Sequence, residues 1–350
     1  MTGATSPIVY LVYFKWPQHS LHSGYDQLSK YVGVPLRVPS TLLRVAGVRL
    51  LARTYSGRRG YDSAKFYNDL TAGLSMLWSH EAIYHHLYGD FAHRYLRRFP
   101  GSRRHKILAT FHMPSETLKD KGAKTEHVRN LDGVVVVGRN QIDFFSDLVG
   151  SERVFFVPHG VDTTSFVPGQ RTELDHNPTV LCVGQTLRDF STLYEVAFRV
   201  GERVPEARFL LVAHPTGIEA DLARLTSLTN FEFRTGISEA ELIQTYQDSQ
   251  LLFLPLLDST ANNSLLEGMA CGLPVVVTDI GGVRDYVRED SVALIPPGDS
   301  KAAAEAIMGL LQDDRNRGQW GEANRKRALR FDWPVVAEEM RGVYQQVWER

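Results

Sequence analysis

A chain of 350 residues, 43% of them hydrophobic and 23% charged, has the composition of a soluble globular protein and the length of two ordinary domains. A formal net charge of −1 and two cysteines argue against a strongly basic nucleic-acid binder and against a disulfide framework. The charge is unevenly spread, however: residues 1–168 carry 21 Lys and Arg against 13 Asp and Glu, and residues 169–350 carry 18 against 27. Such a split suits two domains with different partners.

Ile8–Phe14 reads as a buried first strand. It is too short for a signal-peptide core or a spanning helix, so a reducing cytoplasm is the expected compartment. The following turn ends at Gly24, before a helical pattern over Tyr25–Val32. A glycine there lets backbone approach a ligand, or simply makes the turn. Residues 40–78 read as helices, and in 41–55 arginines alternate with Leu42, Leu43, Val45, Val48, Leu50 and Leu51. This basic amphipathic pattern suits an anionic membrane surface or acceptor, or a solvated face over an ordinary core. Between 37 and 106 lie 13 Lys and Arg, among them Arg44, Arg58 and Arg59, against four acids. No reader motif interleaved with aromatics accompanies them, so nucleic acid is not expected. Ala82–Leu87 is the next strand, and Lys106–Thr110 follows, ending Phe111-His112. A histidine at the carboxyl end of a parallel strand faces the crevice where α/β proteins bind ligands; helix capping is the alternative. Val134–Val137 and Val154–Val157 complete this set, and the polar stretch Gly169 to Pro178 reads as a linker.

The second half opens with Val180–Val183 and the turn at Gly184. Arg188 is the one cation in the loop Gln185–Phe190, ahead of a helix to Val200. A guanidinium offers fork-like contacts to phosphate oxygens and stays charged at any working pH; a surface pair with Asp189 is the alternative. Phe209–Ala213, Phe231–Phe233, Leu251–Leu254, Pro274–Val277 and Ala293–Ile295 then alternate with helices, the last helix being Pro334–Trp348. Strands this apolar suit a parallel sheet buried on both faces. The turn Asp258-Ser259-Thr260-Ala261-Asn262-Asn263 is rich in capping side chains, so a helix is expected to start at Asn262 or Asn263 and to stop at Gly272 and Pro274. A helix N-terminus opening from a parallel strand presents free N–H groups and a positive dipole end, where a diphosphate can sit without a lysine. Glu267, one turn in, is placed to accept from two neighbouring hydroxyls such as those of a ribose; a local pairing inside a buried βαβ unit is the alternative.

The run Leu265-Leu266-Glu267-Gly268-Met269-Ala270-Cys271-Gly272-Leu273-Pro274-Val275-Val276 resembles the nucleotide-sugar signature of the retaining glycosyltransferases of family 4. In that family a first glutamate ahead of this helix holds the donor sugar's hydroxyls. Here Ser259 stands eight residues before Glu267 and Asp258 is the nearest carboxylate, which leaves the donor sugar unassigned. Ile107-Leu108-Ala109-Thr110-Phe111-His112 is similar to the family strand whose terminal histidine reaches that sugar. Pro158-His159-Gly160-Val161-Asp162 resembles a stretch read as structural, with His159 in place of Asn. Gly24 stands where family members often carry a glycine-rich turn. Arg234-Thr235-Gly236-Ile237-Ser238 resembles the loop whose backbone meets the nucleobase. After Gly184 the family usually has an arginine and then a lysine; this chain has Gln185 and Arg188.

The resemblance implies an α/β GT-B fold, two Rossmann-like domains facing across a cleft. Residues 1–168 with a returning helix at 333–350 would take the acceptor, and 169–332 the nucleotide-sugar donor. It also implies retention of configuration. No D-x-D motif occurs where a metal-dependent transferase would want one, so metal-independent transfer without a cofactor is expected. A UDP-sugar is the first choice of donor and a GDP-sugar the second; the acceptor is a glycan, a lipid-linked or a small molecule. His112, Arg188 and Glu267 are the expected catalytic residues. The expected donor contacts are Gly24, Gly184, Arg188, Gly236, Ile237, Asp258, Ser259, Asn262, Asn263, Ser264, Leu265 and Glu267. Peripheral contact of the basic first domain with the inner face of a membrane is also expected. A nucleotide-sugar-binding module without turnover, and an epimerase or phosphorylase on the same fold, are the rival classes.

Overall fold

The structure, a computed structural model, describes residues 7–14, 22–39, 45–55, 63–91, 93, 95–120, 125–169 and 177–350. Its strands form two six-stranded sheets. The chain divides into two units, residues 1–19, 24–159 and 333–350 in one and residues 20–23 and 160–332 in the other.

In the first unit, β1 (Val9–Val12), β2 (Val34–Pro35), β3 (Ile83–His86), β4 (Lys106–Phe111), β5 (Gly133–Val136) and β6 (Val154–Phe156) lie in the order β2-β1-β3-β4-β5-β6. All pair in parallel. The order changes direction at β1 and β3, a switch point at whose carboxyl side α/β sheets open for ligands. Gly24, at φ 98°, starts a 3-10 turn over Tyr25–Lys30 where a longer helix was expected. The last helix, Trp333–Trp348, belongs to this unit. Its Tyr344 hydroxyl meets His85 Nδ1 at 2.8 Å, and His85 Nε2 meets the Thr110 hydroxyl at 2.7 Å. Burial pulls the His85 pKa down to about 3, so a neutral ring joins the helix to β3 and β4.

In the second unit, β7 (Thr179–Val183), β8 (Arg208–Val212), β9 (Phe231–Arg234), β10 (Leu251–Leu254), β11 (Val275–Thr278) and β12 (Val292–Ile295) lie in the order β12-β11-β10-β7-β8-β9, again all parallel. Alternate residues feed two cores. Leu252, Leu254, Val275 and Val277 enter one, and Leu251, Phe253 and Val276 enter the other. The chain runs outward from β7 to β9 and then returns to place β10 on the other side of β7. The carboxyl ends of β7 and β10 therefore flank the switch point.

The change of unit falls at His159–Gly160, earlier than the expected boundary after Pro168. The reason is packing: Phe166 is fully buried in the core under β7 and β10, and the Arg325 guanidinium binds the carbonyls of Thr163 and Phe166. Most of the linker read at Gly169 to Pro178 lies outside the described residues, as do Leu42, Leu43, Arg44, Arg58 and Arg59.

Candidate functional site

Two loops meet at the switch point of the second unit. The loop after β7 joins the loop after β10 through Asp189 N–H to the Pro255 carbonyl (3.0 Å) and Leu257 N–H to the Leu187 carbonyl (2.9 Å). Leu187 holds φ 54° to do so, a conformation uncommon for a branched side chain. Gly184 turns the chain at φ +85°, and a Cβ there would come within 3.2 Å of Arg188 Nη2. Glycine is thus required twice over, by the backbone angle and by the guanidinium beside it.

Arg188 is only 7% exposed. Its Nε and Nη2 donate to the Val183 carbonyl at 3.1 and 2.6 Å, and Nη1 donates to Thr186 O at 3.2 Å. Nη2 also reaches Ser264 Oγ at 3.3 Å. Asp189 is not its ion partner; that carboxylate caps the helix Phe190–Arg203, accepting from Thr192 N–H at 3.0 Å. Among the described residues no carboxylate forms an ion pair with Arg188. Burial lowers its pKa from the ordinary value, yet a guanidinium starting so high keeps its charge. A buried cation whose partners are carbonyls, the Ser264 hydroxyl and the Cys182 thiol, all of them neutral, leaves a positive potential for an incoming anion to neutralise.

That potential adds to a helix end. Asn262 caps the helix Asn263–Ala270, its side-chain oxygen accepting from Leu265 N–H at 3.1 Å. Leu266 N–H makes the first intrahelical bond, to Asn262 O at 3.2 Å. The N–H groups of Asn263 and Ser264 precede it and have no acceptor within the helix. Leu265 differs: its amide serves the cap, and its side chain is 1% exposed within the core. Ser264 Oγ donates to Val183 O at 3.1 Å, so the helix start, Arg188 and the end of β7 converge on one carbonyl.

Asp258 and Ser259 lie in the connecting loop. Asp258 Oδ1 accepts from Ser259 N–H at 2.7 Å, and the Ser259 carbonyl accepts from Gly282 N–H at 2.9 Å. A Cβ on Gly281 would come within 2.1 Å of that carbonyl, so glycine is required at this position. Ser259 is buried, with its hydroxyl 3.5 Å from the Thr260 carbonyl. Gly236, at φ +68°, stands in open space beside a half-buried Ile237 that packs on the core.

Glu267 sits one turn into the helix, 5% exposed. Its two oxygens accept from the hydroxyls of Ser23 and Tyr246, the latter at 2.8 Å. Burial pushes its pKa up to about 7, against the pull of those two donors. Neither hydroxyl was singled out in the sequence. Tyr246 comes from the helix Glu239–Asp248, whose start does carry a readable signal, the capping box of Ser238 and Glu241. Ser23 groups with the second unit and Gly24, the next residue, with the first.

His112 belongs to the first unit, at the end of β4. The Asp90 carboxylate accepts from the backbone N–H of His112 at 3.0 Å and of Met113 at 3.0 Å, and Asp90 Oδ2 lies 3.4 Å from His112 Nδ1. Tyr25 and Tyr88 pack on the ring, with centroids at 4.8 and 5.2 Å. Asp90 therefore sets the ring's position, a role visible only once β3 and β4 pair.

The description "Glycosyl transferases group 1" matches residues 177–313, the stretch that builds the Arg188 and Glu267 site. A phosphatidyl-myo-inositol mannosyltransferase of Mycobacterium leprae (strain TN) is 40% identical over 256 residues, covering 69% of this chain and 67% of that protein. The chain belongs to family 4 of the glycosyltransferases. Its fold is GT-B, as in two solved structures that align over nearly all of it. Sucrose-phosphate synthase from Thermosynechococcus elongatus has a TM-score of 0.71 at 17% identity, covering 98% of this chain and 99% of its own. Anabaena Alr3699/HepE, solved with UDP, has a TM-score of 0.67 at 14% identity, covering 95% and 98%. The chain spans about half (51%) of the length of another relative, a D-inositol 3-phosphate glycosyltransferase of Corynebacterium urealyticum, at 28% identity.

Proposed function

We propose that this family 4 chain moves a sugar from a nucleoside-diphosphate donor, a UDP-sugar, to an acceptor, with retention of configuration and without a metal ion. The observation that carries the reading is Arg188, a buried guanidinium without a carboxylate partner among the described residues, fixed beside the open N–H groups of Asn263 and Ser264. A departing diphosphate gains negative charge, and preorganised donors placed where that charge grows lower the barrier without reorganising. Glu267 grips the pentose hydroxyls, with Tyr246 holding its carboxyl in place. The donor belongs to the second unit and the acceptor to the first, where Asp90 holds His112 at the end of β4. UDP in the HepE structure supports the choice of base. Exposed Leu50 and Leu51, on the helix that carries Arg49 and Arg53, support peripheral contact with an anionic membrane face on the cytoplasmic side. No helix of the described residues is long and apolar enough to cross a membrane.

A second reading, donor binding without turnover, is favoured by buried Ser259 at the place of the family's first glutamate. Release of UDP from UDP-glucose, UDP-galactose and UDP-N-acetylglucosamine, with GDP-mannose as the rival and with excess chelator present, tests both. Turnover that persists in chelator and is abolished in Glu267→Ala supports transfer. UDP binding without release of product from any donor supports the second reading. An epimerised sugar, or a sugar phosphate formed with added inorganic phosphate, without any other acceptor would point to an epimerase or a phosphorylase.

A further inference from the structure

The carboxyl of Glu267 is already engaged on both oxygens, by hydroxyls of the same chemistry that a pentose offers. Its Oε2 accepts from Tyr246 at 2.8 Å and its Oε1 accepts from Ser23. Tyr246 is fully buried on the helix Glu239–Asp248, so it cannot leave without opening the core. Ser23 is only half-buried, and the residue before it holds it in place. The His22 N–H donates to Glu239 Oε1 at 2.8 Å, and His22 Nδ1 lies 2.7 Å from Asp162 Oδ2 and 3.0 Å from Ser165 Oγ. Asp162 is itself fixed. Its Oδ1 accepts from the Thr164 N–H at 3.0 Å, the Thr164 hydroxyl at 2.6 Å and the Ser165 N–H at 3.1 Å, which leaves Oδ2 for the imidazole. All of these residues belong to the second unit. Gly24 follows with φ 98° and ψ 154°, a region that only glycine enters freely. A pivot there lets His22 and Ser23 swing without drawing out Tyr25, which is fully buried.

We propose that His22 and Ser23 form a latch over the pentose position: the Ser23 hydroxyl stands in for a pentose hydroxyl on Glu267, and a nucleoside diphosphate binds by displacing it. This rests on the glycosyl-transfer reading, in which Glu267 holds the pentose. The exchange replaces one hydroxyl on the carboxyl by another, so a group only 5% exposed is never left without a donor. What binding must overcome is the release of His22 from Asp162 and Glu239. That release lowers the apparent affinity by the fraction of molecules whose latch is open. Pyrophosphate has no pentose and meets Arg188 and the helix start without it.

Calorimetric titration of UDP, uridine and pyrophosphate into the wild type, Ser23→Ala and His22→Ala tests the latch. Each variant is expected to bind UDP and uridine about fivefold more tightly, the worth of one hydrogen bond removed from the closed latch, with pyrophosphate unchanged. In the wild type, saturating UDP is expected to speed deuterium exchange of the His22 amide by about tenfold or more, since its bond to Glu239 opens. Should a variant misfold, exchange in the wild type still decides. Equal or weaker binding of UDP and uridine in Ser23→Ala overturns the proposal and makes Ser23 a fixed support of Glu267. So does a gain that pyrophosphate shares, or a His22 amide that bound UDP protects or leaves unchanged. In each of those outcomes UDP still binds, and the transfer reading stands. If neither UDP nor uridine binds the wild type or either variant, the transfer reading itself fails and the latch falls with it.

Discussion

Glu267 keeps a carboxyl in the core of the second unit with a pKa near 7, well above its usual 4.5. A folded-state pKa above the unfolded one means that the folded protein holds the proton more tightly. Stability is therefore highest below about pH 4.5 with respect to this group, and falls as pH rises toward 7. At pH 8 the charged carboxylate costs on the order of 3 kcal/mol. Glu267→Gln is expected to raise the melting temperature at pH 8 and to change it far less at pH 5. The same variant should weaken UDP, because one carboxylate oxygen that accepted a hydroxyl is gone. A melting temperature that falls equally at both pH values would contradict the buried, raised carboxyl. Glu267 itself was legible from its place one turn into a capped helix. Its two hydroxyl donors were not: Ser23 and Tyr246 stand 244 and 21 residues away in sequence. Asp90 escaped for the same reason, since its hold on His112 exists only after two strands pair.

The helix Asn263–Ala270 was readable because three local signals agreed: an apolar strand before it, a run of capping residues, and a Gly-x-Pro stop. Its cap allows a paired test. Asn262→Ala and Asp299→Ala each remove a side chain that accepts from the helix start, at 3.1 and 2.9 Å, and each should cost about 1 kcal/mol of stability. Only Asn262→Ala should also weaken UDP, and equal UDP affinity in the two would detach the helix start from nucleotide binding. Gly184→Ala is expected to weaken UDP as well, because its Cβ would press on Arg188 Nη2 while the backbone is held at φ +85°. Other elements left weaker traces. β2 is two residues long and ends in proline, too short for any periodicity to register. The 3-10 turn Tyr25–Lys30 carries the same apolar spacing as a helix, and its hydrogen-bond pattern is not written in composition.

Across the whole chain, two parallel sheets and their helices were legible from apolar runs alternating with amphipathic ones, and the fold class followed from that alternation. The point of passage between units was not, because Phe166 looks like any apolar residue in a loop until the core that receives it exists. The uneven charge also acts at this scale. The helix Ala46–Tyr55 exposes Leu50 at 66% and Leu51 at 49% beside Arg49 and Arg53. Sedimentation with anionic vesicles is expected to be lost at high salt and in Leu50→Glu/Leu51→Glu, while neutral vesicles leave the protein in solution. Equal binding to neutral and anionic vesicles would remove the electrostatic part of that reading.

The central claim is that a nucleoside diphosphate neutralises Arg188 at the start of the Asn263–Ala270 helix. Calorimetric titration of UDP and uridine into the wild type and Arg188→Gln measures it most directly. UDP should bind the wild type at least tenfold more tightly than uridine, and Arg188→Gln should erase most of that difference. If Arg188→Gln folds and still prefers UDP over uridine by the wild-type factor, the diphosphate does not sit at Arg188.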